Sequence, residues 1–407
     1  MSTADMEQRA GQVAFTGTRH ELMLIMLRGY TLMVPTIGLY RFWQATWKRR
    51  FYWQNTVIDG EPLEYTGNAT QLLLGFLFSL AFFLPIYIAL FYFSMQDANL
   101  TLLGYAGAGA ILWFLAGYAI YRARDFRLSR TLWRGIRFGM EGNAWAYALR
   151  RFLWSVAMVI TLGLVYPWMG SSLWRYRWRN TWYGDRRFEI SGNWRAFAAP
   201  FYVTYLINAV LIGATAVWIV SGHDLMQIDG MTIPGPFGLL ACIGCVIVFA
   251  LSVAWYRSTV ASRMLSTVSL GDAQLTVTIR PVALFGLFVG YAAGIVLLVA
   301  TLSLTALLVL ASIYVVAART GRSAEATLLT FAQSGTLNAA LVVSLYLLGL
   351  AAIGLLWELI PGIGWWKLLA RGSTIANPQS LRTVKAAAED RTLVGQGLAD
   401  ALNVGAY

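Results

Sequence analysis

The chain is short of the residues that most chemistry needs. Two histidines, His20 and His223, and two cysteines, Cys242 and Cys245, are all that it carries in 407 residues. Metal cages and nucleophile–base pairs draw on those residue types. The histidines lie in distant segments, and no HExxH or carboxylate cage accompanies them, so no metal site is expected. A GxxxxGK[ST] loop, a GxGxxG turn after a strand and a GxSxG elbow are absent as well. Cys242 and Cys245 do form a CxxC, but inside the apolar run CIGCVIVFALSV. A redox thiolate needs a nearby cation or helix N-terminus, and zinc needs more ligands. The pair reads as small packing residues. No cofactor is expected and no catalytic constellation is found, so the chain reads as a non-enzyme.

Charge is also scarce. Only 12% of residues are charged, where a soluble domain has about 25%. Hydrophobic residues make up 58%, which leaves too little polar surface for a water-soluble fold. The charge that exists is lopsided, 31 Lys+Arg against 19 Asp+Glu. In so apolar a chain that excess points to anionic lipid headgroups and the positive-inside rule, not to nucleic acid. The first twenty residues are polar and lack the basic n-region of a secretory signal.

Spans of about 20 apolar residues cross a bilayer. Clear candidates are 71–94, 101–121, 197–220 and 237–256, followed by 282–318, an apolar run long enough for two spans joined near 300–305. The fold class expected is therefore an all-α polytopic membrane protein with six spans in three hairpins. Three further apolar segments, 22–42, 150–169 and 337–361, are re-entrant or additional membrane helices. If 71–94 runs outward, the outer loops hold Asp97, Asp224 and Asp229, and the basic residues gather inside. Region 122–195 alone has 14 arginines. A single crossing at 150–169 would strand one arginine cluster outside, which favours a dipping hairpin over nine plain spans. Both termini are then cytoplasmic. Arg28 and Glu358 lie in the dipping segments and are candidate intramembrane charges that approach each other. The six spans carry no Asp or Glu in their interiors, which argues against a carboxylate proton relay.

Two stretches, 36–68 and 161–193, align without a gap at a period of 125, with eleven identities in 33 positions. This is an internal repeat. Each copy has a TxGLxxxW break, a helix rich in Trp, Tyr and Arg, an Asn-Thr stop, and a short β-like hairpin closed by Gly-Asn. Fainter copies begin near Trp255 and end the chain. The organisation expected is a polar segment 1–20, unit 1 over 21–122, unit 2 over 123–256 with a basic cytoplasmic linker 122–145, unit 3 over 257–320, a partial unit 4 over 321–385 and a tail 386–407. The motif residues Trp43, Arg50, Trp53, Asn55 and Thr56 match Trp168, Arg175, Trp178, Asn180 and Thr181. Together with Arg177 they suit a lipid–water interface, because Trp rings sit at headgroup level and Arg reaches phosphate. Asp59, Asp185 and Asp272 each adjoin a Gly and read as turn residues.

The TxGLxxxW break, the Arg/Trp helix, the Asn-Thr stop and the Gly-Asn close resemble the YjgN family of bacterial inner-membrane proteins, a domain of unknown function. The resemblance implies a cytoplasmic-membrane location and repeated membrane units, and no activity. Two functions fit the residues: handling of membrane lipid or another amphiphile by transport or scrambling, or a scaffold for a protein partner such as a membrane protease.

Overall fold

The computed structural model describes residues 11–95, 98–221, 225–228, 231–321, 323 and 335–386. Among these described residues, six helices are long and apolar enough to cross a membrane. In three pairs they leave a common platform and return: α3 (Ala69–Ser94) with α4 (Ala98–Ser129), α7 (Arg195–Val220) with α8 (Pro236–Leu265), and α9 (Pro281–Thr320) with α10 (Gly335–Trp357).

The expected break near 300–305 does not occur. α9 is one continuous helix of 40 residues, about 60 Å at 1.5 Å per residue. Nothing in that stretch stops a helix: Thr301 and Thr305 donate their hydroxyls to Leu298 O and Thr301 O within it. The returning partner is α10, from the third doubtful segment. Arg319 therefore lies at the end of the bundle away from the platform, an exception to the one-sided placement of basic residues.

The segments 22–42 and 150–169 fold as helical hairpins. α1 (Arg19–Met33) turns back into α2 (Arg41–Gln54), and α5 (Ala144–Ile160) into α6 (Tyr166–Arg179). Each arm has 14 to 17 residues, short of the roughly 20 needed to cross. Their tips share one hydrogen-bond pattern. Gly38 N donates to Met33 O and Gly163 N to Met158 O, both at 2.8 Å. Ile37 and Gly38, and Leu162 and Gly163, all have positive φ, which is why glycine recurs there. The Thr36 and Thr161 hydroxyls cap the preceding helices. Ile37 and Leu162 point outward, 93% and 79% exposed.

The all-α expectation fails at the platform. It is an 11-stranded antiparallel sheet that curls into a nearly closed barrel. Five strand groups build it: β2 (Thr56–Ile58) with β3 (Glu61–Tyr65), β4 (Thr131–Trp133) with β5 (Ile136–Met140), β6 (Thr181–Tyr183) with β7 (Arg186–Arg187) continuing into β8 (Glu189–Ile190), β11 (Val268–Leu270) with β12 (Ala273–Val277), and β13 (Ser373–Ala376) with β1 (Gly11–Phe15). The two ends of the sheet order are β7 and β8, separated in the chain by Phe188 alone, so the ring nearly closes on itself. A separate pair, β9 (Leu225–Ile228) with β10 (Met231–Pro234), caps the α7–α8 turn.

Each group follows the same path. A helix enters a first strand and the last strand feeds the next helix. After four of these strand groups the chain reads Thr16-Gly17-Thr18, Thr66-Gly67-Asn68, Glu141-Gly142-Asn143 and Ser191-Gly192-Asn193. Thr18 and Asn143 accept helix N-terminal N–H groups, which is the reason for a polar residue there. The barrel core is Trp133, Tyr183, Leu270, Ile375 and their neighbours. Its floor is covered by a 3₁₀ turn (Pro378–Thr383) and Val384. The three turn aspartates hold that strap. Asp59 pairs with Arg134 at 2.9 Å and lies 3.9 Å from Arg382. Asp185 exchanges two hydrogen bonds with the Lys385 backbone, and Asp272 O accepts from Asn377 Nδ2.

Candidate functional site

Six helices meet beside the barrel, α3 through Leu72 alone, and two of them carry a cation stripe. On α2, Arg41, Ala45, Lys48, Arg49 and Tyr52 share a face; on α4, Ile120, Arg124, Arg127 and Leu128 do, with Thr131 just past the helix end. Both follow i, i+4, i+7, i+8, i+11, one side of a helix. Arg177 and Trp178 come from α6, Tyr147 and Arg151 from α5, and Trp366 and Leu369 from α11 (Ile363–Arg371). Together they line a chamber of about 800 Å³ with seven cations and no carboxylate in its wall.

Aromatic faces hold several guanidiniums in place. Arg124 lies 4.9 Å from the Trp178 ring centroid, Arg151 is 5.6 Å from Trp113, and Arg177 is 5.8 Å from Trp174. Arg49 donates to the Tyr65 hydroxyl at 3.2 Å. Lys48 is neutralised by Glu358 at 2.7 Å. Nε of Arg124, Nη1 of Arg151, Nε of Arg177 and Nε1 of Trp178 are buried without a hydrogen-bond partner.

The barrel interior lies next to this chamber. It encloses an apolar cavity of about 240 Å³ lined by residues such as Ile58, Phe138, Tyr183 and Leu275. Trp178, Trp366 and Leu369 belong to both walls. Burial pushes the Tyr183 phenol up to about 12, so its hydroxyl stays a donor, to Trp133 O at 3.0 Å.

The residues singled out from the repeat fall into two groups. Arg50 and Arg175 play one structural part in the two copies. Arg50 donates to Gly67 O at 3.2 Å, and Arg175 to Gly192 O at 3.5 Å. The Arg and the Gly-Asn close are thus two ends of one tie. Asn55 and Asn180 cap their helices by donating to Phe51 O and Tyr176 O. Thr56 and Thr181 donate to Tyr52 O and Arg177 O, and Thr131 and Ser373 repeat the bond at two further helix ends. Trp43 and Trp168 line matching notches beside Arg50 and Arg175. The second group, Trp53, Arg177 and Trp178, reaches the chamber. Trp53 is already engaged there, donating to the Thr131 hydroxyl at 2.8 Å.

Arg28 and Glu358 do not meet. Arg28 is exposed on α1, while Glu358 is taken by Lys48. The repeat motif does not single out Arg41, Lys48, Arg49, Arg124, Arg127 or Arg151. Their signal is of another kind, cations at helical spacing on one helix face. His20 is exposed, and His223 lies outside the described residues. Cys245 contacts the Thr215 hydroxyl at 2.9 Å in the α7–α8 packing. Among the described residues no group of three His, Cys, Asp or Glu could hold a metal.

A family described as a bacterial protein of unknown function, DUF898, matches residues 10–401. The chain belongs to this family. It is the family that the TxGLxxxW and Gly-Asn motifs resemble. The match runs from the start of β1 past β13, so it takes in the whole ring of strands. No curated protein and no solved structure matches the chain.

Proposed function

We propose that this DUF898 member sits in the bacterial cytoplasmic membrane and binds an anionic amphiphile in its basic chamber, without enzymatic turnover. One observation carries the reading. A chamber lined by six arginines and by Lys48, which Glu358 neutralises from outside the wall, shares Trp178, Trp366 and Leu369 with an apolar cavity, so head and tail requirements meet in adjoining spaces. Cations drawn together out of bulk water repel each other, and an anion among them offsets that cost. Lipid is the nearest anion to a membrane-embedded site. In this reading the barrel and both ends of the described chain lie on the cytoplasmic side, and the arginine-rich helix ends beside the barrel support it. The matched tips and ties of the two helical hairpins support a duplicated module.

The test is lipid retention. Protein reconstituted in vesicles of equal phosphatidylcholine and phosphatidylglycerol is extracted in mild detergent, and its bound lipid is measured by native mass spectrometry. Phosphatidylglycerol should be enriched several-fold. Retention in the ratio of the vesicle overturns the proposal.

A further inference from the structure

We infer that the anionic group held in the chamber is a terminal phosphate, gripped by Arg124, Arg151 and Arg177. This rests on the chamber being an amphiphile site and names the chemistry of the head. The three arginines come from three different helices, α4, α5 and α6, and each lines the same space. Each has a buried guanidinium N–H with no partner, and the Trp178 indole N–H beside them is also unpartnered. Their guanidinium carbons lie over the Trp178, Trp113 and Trp174 rings, 4.9, 5.6 and 5.8 Å from the centroids, which restrains all three side chains.

The first copy of the repeat provides an internal control. There the position of Trp178 is Trp53, whose indole is used by Thr131, and the position of Arg177 is Tyr52, whose hydroxyl lies 3.5 Å from Glu358. In the second copy Nε of Arg177 and Nε1 of Trp178 have no partner, and both residues line the chamber. Buried donors without partners are costly and mark sites where a group is missing.

The number of donors selects among anions. A guanidinium can offer two parallel N–H bonds to an oxyanion. A carboxylate or a phosphodiester has two free oxygens and a single charge, so three guanidiniums cannot each face an oxygen of their own. A phosphomonoester presents three free oxygens and up to two charges, one oxygen for each guanidinium. The same chemistry belongs to a phosphate-terminated lipid and to free inorganic phosphate.

The experiment uses the full chain in nanodiscs of phosphatidylcholine doped with an equal small fraction of either phosphatidic acid or phosphatidylglycerol of the same acyl chains. Lipid retained after detergent extraction is measured by mass spectrometry. Phosphatidic acid should be enriched about tenfold over phosphatidylglycerol. The R124Q, R151Q and R177Q variants should each lose that preference. R177K, which keeps charge without the fork, should lose most of it, while R187Q on the barrel surface should retain it. If inorganic phosphate at millimolar concentration displaces phosphatidic acid, free phosphate is a ligand of the same cradle; if it does not, the lipid is the source, and both support the cradle. Equal enrichment of the two anionic lipids over phosphatidylcholine overturns the terminal-phosphate assignment and leaves the amphiphile reading standing. No enrichment of either overturns both.

Discussion

Lys48 and Glu358 stand 310 positions apart in the chain and 2.7 Å apart in space, joining α2 to the π-turn Glu358–Gly362 after α10. Both are largely buried, with side-chain exposures of 19% and 12%. Removing one partner strands a charge in a poorly solvated place. E358Q and K48M should each lower stability by about 3 kcal/mol. The double variant should be no worse than the poorer single, because the second change removes the charge left behind. Thermal unfolding in detergent as a double-mutant cycle checks this; strict additivity would show that the pair is not coupled.

Arg50 and Arg175 should behave as structural ties. R50Q loses charged hydrogen bonds to Gly67 O and Asn68 Oδ1, and R175Q one to Gly192 O, about 1–2 kcal/mol in each variant. Lipid preference should be unchanged in both, since neither residue lines the chamber. The comparison with R124Q and R177Q by the same retention assay separates folding from binding.

What the sequence made legible was what repeats locally. The TxGL tips, the Asn-Thr stops and the four separate apolar runs each depend on neighbours within a few residues, and they fall where the pattern puts them; the run 282–318 does not, because it is one helix and not two spans. The barrel was hidden because no strand exceeds five residues, too short for alternation to stand out. One pair in the middle of the ring joins Gly11–Phe15 to Ser373–Ala376, more than 350 positions apart. The β4–β5 hairpin, TLWRGIRFGM, carries Arg134 and Arg137 and looks like a basic linker. Its Gly142-Asn143 close was the available clue. The chamber was hidden for another reason: its cations are spread over four helices and converge only when the ring forms.

Tyr183 should report on the barrel core. Its phenol is raised to about 12 by burial, against an ordinary value near 10. A raised value means that the unfolded chain releases the proton first. The stability from this group is complete below about pH 10 and is lost as pH rises through about 12. Y183F should remove that alkaline step and cost about 1 kcal/mol at neutral pH, from the lost bond to Trp133 O. Difference curves of unfolding midpoint against pH, wild type minus variant, should be flat below about pH 10 and fall above it.

α9 bears on topology more directly than any other element. It leaves the barrel at Pro281 and runs unbroken to Thr320. If 300–305 were a turn, Arg319 would return to the barrel side. Two measurements decide. Amides over 300–305 should exchange slowly, as in mid-helix, and not as fast as in a loop. Single cysteines at Met95, Ser221 and Arg319 should label together from the periplasmic side of intact cells, and cysteines at Glu61 and Arg187 only after permeabilisation. Labelling of position 319 with the second group would contradict the continuous helix, and reversal of both groups would invert the orientation.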